Sequence, residues 1–398
     1  VIYPMEHVLW CNKHPLVLPD IVKGEGCYLY DHQGQKYLDL ESGIWCLALG
    51  HCHPQINDAI QAQAGILAHS GYCYANPVME QASKAVLDIL NMPDGKCVFL
   101  SSGSEAVEFG VQALHKITAK PLILTLSDSF LGSYGSAGSK RKDEWVLFDW
   151  HECTVCNSSE DCSPECRYFS EIPFSRIGGF VFEPGSASGL VRFPPKSFIQ
   201  NIVKFIRQHE GFIQINEITT GLGRTGKWFG FQHYDIDPDI VSMGKGLGNG
   251  YPVSAIAMTP EIIEHLSNKS FYYYQSHQND PLGCAVARAV IKTLQEEKII
   301  EKSNTIADYL FKGLQQLKQK YSIIQEIRGR GLMFAIEFED TLADDVLSDL
   351  YVKCIQRGFI LAKRPGLNVF RLDPPLIIQK EDIDHFLETF DQLLADLG

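Results

Sequence analysis

Phe212-Ile213-Gln214-Ile215-Asn216-Glu217-Ile218-Thr219-Thr220-Gly221-Leu222-Gly223-Arg224-Thr225-Gly226 runs from a short apolar stretch straight into a polar turn rich in glycine. An apolar run of this length, closed by turn residues, reads as a buried strand. Downstream, Pro238-Asp239-Ile240 leads to Met243-Gly244-Lys245-Gly246-Leu247-Gly248-Asn249-Gly250, where one lysine lies among four glycines. Glycine on both sides lets the backbone approach a ligand closely, and a lysine held there offers an amine for imine formation with a carbonyl. A lysine in a flexible surface loop is the competing explanation.

Working outward, short apolar strands alternate with helical stretches: Val98 to Leu100, a helix near Glu105 to Lys116, then Leu122 to Leu126, Phe180 to Phe182, Phe212 to Ile215 and Val253 to Met258. That alternation predicts a mostly parallel α/β sheet. Gly26 to Leu40 reads as a small hairpin, and from about Ala285 long helices accompany strands at Leu332 to Glu337 and Val369 to Leu372. The expected organisation is a large domain over 46–284 and a smaller α+β domain built from 1–45 and 285–398. Ligands in open α/β sheets bind beyond the carboxyl ends of the strands. At one such end, Ser101-Ser102-Gly103-Ser104-Glu105-Ala106 opens a helix whose first turn suits a phosphate, or simply a Ser N-cap with Glu105 in the first turn.

Composition narrows the class of partner. The chain has 398 residues, a formal net charge of -13, 45% hydrophobic and 21% charged residues, 33 Gly and 19 Pro, which describes a folded globular chain rather than a disordered or fibrous one. The longest apolar runs fall far short of the roughly 20 residues a membrane span needs. With 48 Asp+Glu against 35 Lys+Arg, a surface for nucleic acid is not expected, and a small molecule is. Val1 to Trp10 lacks a basic segment followed by an apolar one, so the cytoplasm is the expected location.

In this order the segments resemble the class III aminotransferases, pyridoxal phosphate enzymes of fold type I. Gly50-His51-Cys52-His53-Pro54 is similar to the family's N-terminal segment, Ser102 to Ala106 to its phosphate turn and Glu183-Pro184 to its strand end. Gly221 to Gly226 with Gly244-Lys245-Gly246 resembles its signature core, and Arg328 to Leu332 and Phe370 to Leu376 its C-terminal motifs. The resemblance implies that Lys245 forms the Schiff base with the cofactor and then carries the proton between the α-carbon and C4′. It implies that Gly103 and Ser104 hold the phosphate, that Phe130 stacks on the pyridine ring, and that Thr219 belongs to the cofactor-binding set. Leu131 follows Phe130 where the family usually has His, and an ordinary core Phe is the alternative. Ser276 stands where relatives have a Thr that reaches the phosphate bound by the neighbouring subunit, which implies a homodimer. Arg371 is the position where relatives bind a substrate carboxylate. Ser188 replaces the glutamate that often neutralises that arginine, so Arg371 is expected to stay free, a surface salt bridge being the alternative. Trp45 resembles a pocket-lining aromatic residue and equally suits the core.

Asn216 is the main departure. Relatives carry Asp there, paired with the protonated pyridine nitrogen; such a carboxylate raises a cation's pKa by about 1 to 3 units. A branch with racemase or epimerase chemistry, an introduced substitution and a weakly active cofactor-binding protein all accommodate the change. Glu217 does not replace the carboxylate, because neighbours on a strand point to opposite faces.

Of the 12 cysteines, eight are scattered and read as ordinary thiols. Cys153, Cys156, Cys162 and Cys166 form C-x2-C-x5-C-x3-C in a surface stretch, and a structural Zn2+, free thiols or disulfides all suit them. The combined expectation is an aminotransferase moving an amino group between an amino acid or amine and a 2-oxo acid through Lys245.

Overall fold

The computed structural model describes residues 7–12, 14, 16–18, 20–154 and 166–397. The chain divides into two compact units, one of residues 54–188 and 192–298, the other of 1–53, 189–191 and 299–398. The larger unit is built on a seven-stranded sheet: β1 (Lys96–Leu100), β2 (Leu122–Leu126), β3 (Trp145–Phe148), β4 (Ile177–Phe182), β5 (Phe212–Asn216), β6 (Ile240–Met243) and β7 (Ser254–Met258). Their spatial order is β1-β7-β6-β5-β4-β2-β3. Only β7 runs against its neighbours, pairing Ser254 with Leu100 and Ala255 with Met243. Every residue of β2, β4, β6 and β7 is buried, the mark of strands covered on both faces.

Helix α1 (Gly103–Ile117) lies on this sheet and buries Val107, Val111 and Leu114, apolar positions repeating at helical spacing. Gln214 ties the layers together, its buried amide donating to the carbonyl of Val107 at 3.0 Å. Because β1, β2, β5 and β6 are mutually parallel, their carboxyl ends meet at one edge of the sheet. The turns opening at Ser101, Glu217 and Gly244 therefore gather there.

The smaller unit holds two four-stranded sheets. One joins Ile21–Glu25, Tyr28–Asp31, Lys36–Asp39 and Phe359–Ile360; the other joins Ile324–Arg330, Met333–Phe338, Val369–Leu372 and Ala362–Lys363. Three long helices, Ile299–Lys320, Asp344–Gln356 and Lys380–Ala395, belong to it.

The expected boundaries at 45/46 and 284/285 move to 53/54 and 298/299. Helix Pro281–Glu296 packs on helices Pro54–Ile66 and Pro77–Leu90, which keeps it with the large unit. Cys46 to His53 stays with the small one through backbone bonds from His51 to Gly26 at 2.7 Å and from Leu376 to Ala48 at 2.8 Å. No helix among the described residues is long and apolar enough to cross a membrane.

Candidate active site

The pocket at the carboxyl edge of the large sheet is lined by Ser102, Gly103, Ser104, Val107, Phe130, Leu131, Gly132, Asn216, Ile218, Thr219 and Lys245. The two readings of the Ser101 to Ala106 turn coexist. Ser102 and Glu105 form a capping box, with the Ser102 hydroxyl accepting from the Glu105 N–H and the Glu105 carboxylate from the N–H groups of Ser101 and Ser102. This pair passes over the N–H groups of Gly103 and Ser104, the first two of α1, which leaves a partial positive charge beside the pocket. Gly103 is dictated by packing, since a Cβ there would lie 2.7 Å from Cγ2 of Ile218. The Ser104 hydroxyl accepts from the Ser133 N–H at 3.1 Å, which keeps its own hydrogen for another acceptor.

Lys245 is not in a flexible surface loop. It begins a single turn after β6, half-buried, with φ of 45°, a left-handed conformation that costs a non-glycine residue about 1 kcal/mol and so marks a held geometry. Its Nζ donates to Oγ1 of Thr219 at 2.9 Å.

Asn216 is 2% exposed, and both ends of its amide are engaged. Nδ2 donates to the carbonyl of Phe130 at 2.9 Å, and Oδ1 accepts from the N–H of Ile218 at 3.2 Å. Phe130 is pinned a second time by its N–H, which donates to Glu183 at 3.0 Å. Its ring is 49% exposed, so it is not a core residue; Leu131, at 1%, is.

Two buried carboxyls flank this region. Glu183 accepts from Phe130 and Ala187 through Oε2, while its Oε1 finds no hydrogen-bond partner. Burial pushes its carboxyl up, against the pull of those two N–H bonds and of nearby Lys245. Burial likewise raises Glu217 to about 7, opposed by bonds from Thr220, Gly230 and Phe231. Glu217 thus turns into the protein to hold the 229–231 turn, as strand alternation predicts. The sequence reading gave Glu183 no role of its own, for the only signal was an acid closing an all-buried strand.

Ser276 is exposed and does not line the Lys245 pocket. In the small unit, Arg371 requires a correction: it is neither free nor on the surface. It is fully buried, and its Nε and Nη2 donate to the two oxygens of Asp373 at 2.6 and 3.1 Å, leaving Nη1 without a partner. Residues two apart on an extended chain share a face, which is the signal that would have disclosed the pair. Trp45 is 7% exposed, and its ring lies 3.8 Å from the Arg371 guanidinium carbon, with that of Arg364 at 5.1 Å. Of the cysteine cluster, Cys153 and Cys166 are both partly buried, whereas Cys156 and Cys162 lie outside the described residues. Among the scattered cysteines, burial pushes Cys27, Cys284 and Cys354 up to about 12, which keeps these three thiols unreactive.

A profile of the family described as aminotransferase class-III matches residues 11–394. Acetylornithine aminotransferase of Caldanaerobacter subterraneus is 28% identical, covering 97% of this chain and 96% of that one. Ornithine aminotransferase 1 of Staphylococcus aureus is 31% identical, covering 97% and 96% respectively. Among solved structures, acetylornithine aminotransferase from Elizabethkingia anophelis superposes with a TM-score of 0.82 at 26% identity, covering 97% of this chain and 95% of its own.

Proposed function

The chain belongs to the class III aminotransferases, pyridoxal phosphate enzymes of fold type I that move an amino group between an amino donor and a 2-oxo acid, and from that premise we propose that Lys245 carries its chemistry. The residues of the pocket suit the cofactor. Gly103 and Ser104 offer two N–H groups outside the capping box and one hydroxyl hydrogen to a phosphate, at the positive end of a helix. Phe130 offers an exposed ring face, and Lys245 an amine in the same pocket. When bound, pyridoxal phosphate supplies a carbonyl carbon for the donor amine and a conjugated ring that withdraws electrons from the donor's α-carbon.

The chain's own part follows from its hydrogen bonds. Thr219 orients the Lys245 amine, which would hold the cofactor through its carbonyl carbon and would serve as the base that moves the donor's α-proton. Asn216 and Glu183 hold Phe130 from its carbonyl and N–H sides, fixing the ring that covers the cofactor. Arg371, stacked on Trp45 and held through Nε and Nη2 by Asp373, is the carboxylate-recognising group, and its unpartnered Nη1 supports that role. Ser276 serves the phosphate of a second copy in a homodimer. Its exposure supports this, as do the exposed rings of Tyr72, Tyr272 and Tyr274, with Tyr72 and Tyr272 each lying within 6.4 Å of Tyr274. The single buried thiols of Cys27, Cys284 and Cys354 support a cytoplasmic location. A structural zinc at the cysteine cluster is not part of this reading.

The observation that carries the proposal is the Lys245 amine on the Thr219 hydroxyl, in one pocket with the open first turn of α1. The test is a single turnover with an amino acid and no acceptor. One equivalent of 2-oxo acid per chain, lost in Lys245→Ala, is expected. The missing carboxylate at Asn216 favours a second reading, an amino-acid racemase or epimerase. In that case the same mixture would invert the donor's α-carbon and release no 2-oxo acid.

A further inference from the structure

Away from the Lys245 pocket, two imidazoles converge on one carboxylate. Nδ1 of His69 lies 2.6 Å from Oδ1 of Asp280, and Nδ1 of His277 lies 2.5 Å from Oδ2. The two rings are 4.9 Å apart between centroids, and one ligand atom from each residue falls within 4.8 Å of the others. We propose that His69, His277 and Asp280 form a binding site for a divalent transition-metal ion of the zinc type.

Asp280 occupies the N-cap position of helix Pro281–Glu296, where an aspartate ordinarily accepts from the first N–H groups of the helix. Here its side chain makes no such bond, and both oxygens are turned to the histidines instead. A tetrahedral metal with ligands at about 2.0–2.2 Å holds its donor atoms roughly 3 to 4 Å apart. Small rotations suffice to reach that geometry, because the three donor atoms already lie within 4.8 Å of one another. His277 and Asp280 also line a cleft with Ser101 and Tyr251, which leaves space for a water as the remaining ligand. Two imidazoles and a single carboxylate suit zinc, nickel or copper; magnesium and calcium call for more oxygen donors.

The three ligands come from two separate segments, so a metal would clamp one to the other. His69 lies in the stretch before helix Pro77–Leu90. The His277 segment is stitched to the end of β1: the Asn279 N–H donates to the Phe99 carbonyl at 2.9 Å, the Phe99 N–H to Oδ1 of Asn279 at 2.8 Å, and Nε2 of Gln275 to Oγ of Ser101 at 2.9 Å. Hydrogens on the two Nδ1 atoms satisfy the same cluster without metal.

The experiment titrates Zn2+ alone into chelator-treated holoenzyme against a chromophoric competitor. The Cys153, Cys156, Cys162 and Cys166→Ser quadruple variant serves as the parent, so that thiolates contribute nothing. One Zn2+ per chain is expected, with slowed hydrogen exchange in segments 67–74 and 275–280. Changes even outside a metal's immediate ligands cost about 10–100-fold in affinity, so His277→Ala and His69→Ala should each weaken binding at least about tenfold. The cofactor's visible band verifies that these variants are folded, and Asp280→Asn, nearly isosteric, repeats the test if either is not. Zinc uptake that survives the histidine variants undiminished, or that is absent from the quadruple variant, would overturn the site.

Discussion

At the scale of single residues, the site is held by side chains that serve the backbone. Asn216 is the clearest case: a carboxylate there would set an oxygen against the Phe130 carbonyl, which now receives a hydrogen bond at 2.9 Å in a buried position. Asn216→Asp should therefore lower stability by about 1–3 kcal/mol, whatever it does to turnover, and thermal unfolding reads it. No loss of stability would mean that the amide is not needed to hold Phe130. Arg371→Ala strips a buried aspartate of its partner. Breaking such a pair costs about 3–5 kcal/mol, so denaturant unfolding should show a far larger loss for Arg371→Ala than for the Arg371→Ala/Asp373→Ala double variant. Equal losses would mean that the two residues are not coupled. Of the two interactions, only the Arg371–Asp373 pair carries a signal in the sequence, its two-residue spacing on an extended chain. The sequence displays Asn216 and Arg371 as departures from, or matches to, a family pattern, but a hydrogen bond between positions 130 and 216 is a product of the fold.

At the scale of elements, strand reading from sequence worked where burial is uniform. Leu122–Leu126 and Val369–Leu372 have the expected bounds, each a short, uniformly buried stretch that opens and closes on apolar residues. Trp145–Phe148 and Ile240–Met243 were not singled out, being four residues each and flanked by charged or loop sequence. The reversed direction of β7 was equally hidden, since orientation depends on what pairs with a strand rather than on what composes it. Helix α1 was legible at its start, where Ser102 and Glu105 stand at capping-box spacing. Ser102→Ala should cost about 0.5–2 kcal/mol and also loosen the turn that presents Gly103 and Ser104. The expected outcome is a lower unfolding temperature together with a higher dissociation constant for pyridoxal phosphate. Unchanged cofactor affinity would separate the cap from the phosphate turn.

At the scale of the whole molecule, the division of the chain follows packing rather than sequence order, because helix Pro281–Glu296 sides with the helices it packs on rather than with its neighbours in sequence. The buried carboxyls give the protein a pH signature. Burial raises Glu217 from 4.5 to about 7 and raises Glu183 as well, so between those values the folded chain holds protons that the unfolded chain has lost. Their contribution is fully present below about pH 4.5 and disappears as the pH rises through 7. The unfolding temperature of the holoenzyme should accordingly fall from pH 5 to pH 7. Glu183→Gln, which keeps an acceptor for Phe130 and Ala187, should flatten that slope. A rising profile over the same window, or an unchanged slope in the variant, would contradict the assignment.

The central claim is that one lysine carries the reaction. Borohydride treatment of the cofactor-loaded enzyme, followed by proteolysis and mass spectrometry, marks whichever amine is joined to pyridoxal phosphate. The account predicts the reduced adduct on Lys245 and on no other lysine; an adduct elsewhere, or a loaded enzyme that takes up no mark at Lys245, would contradict it.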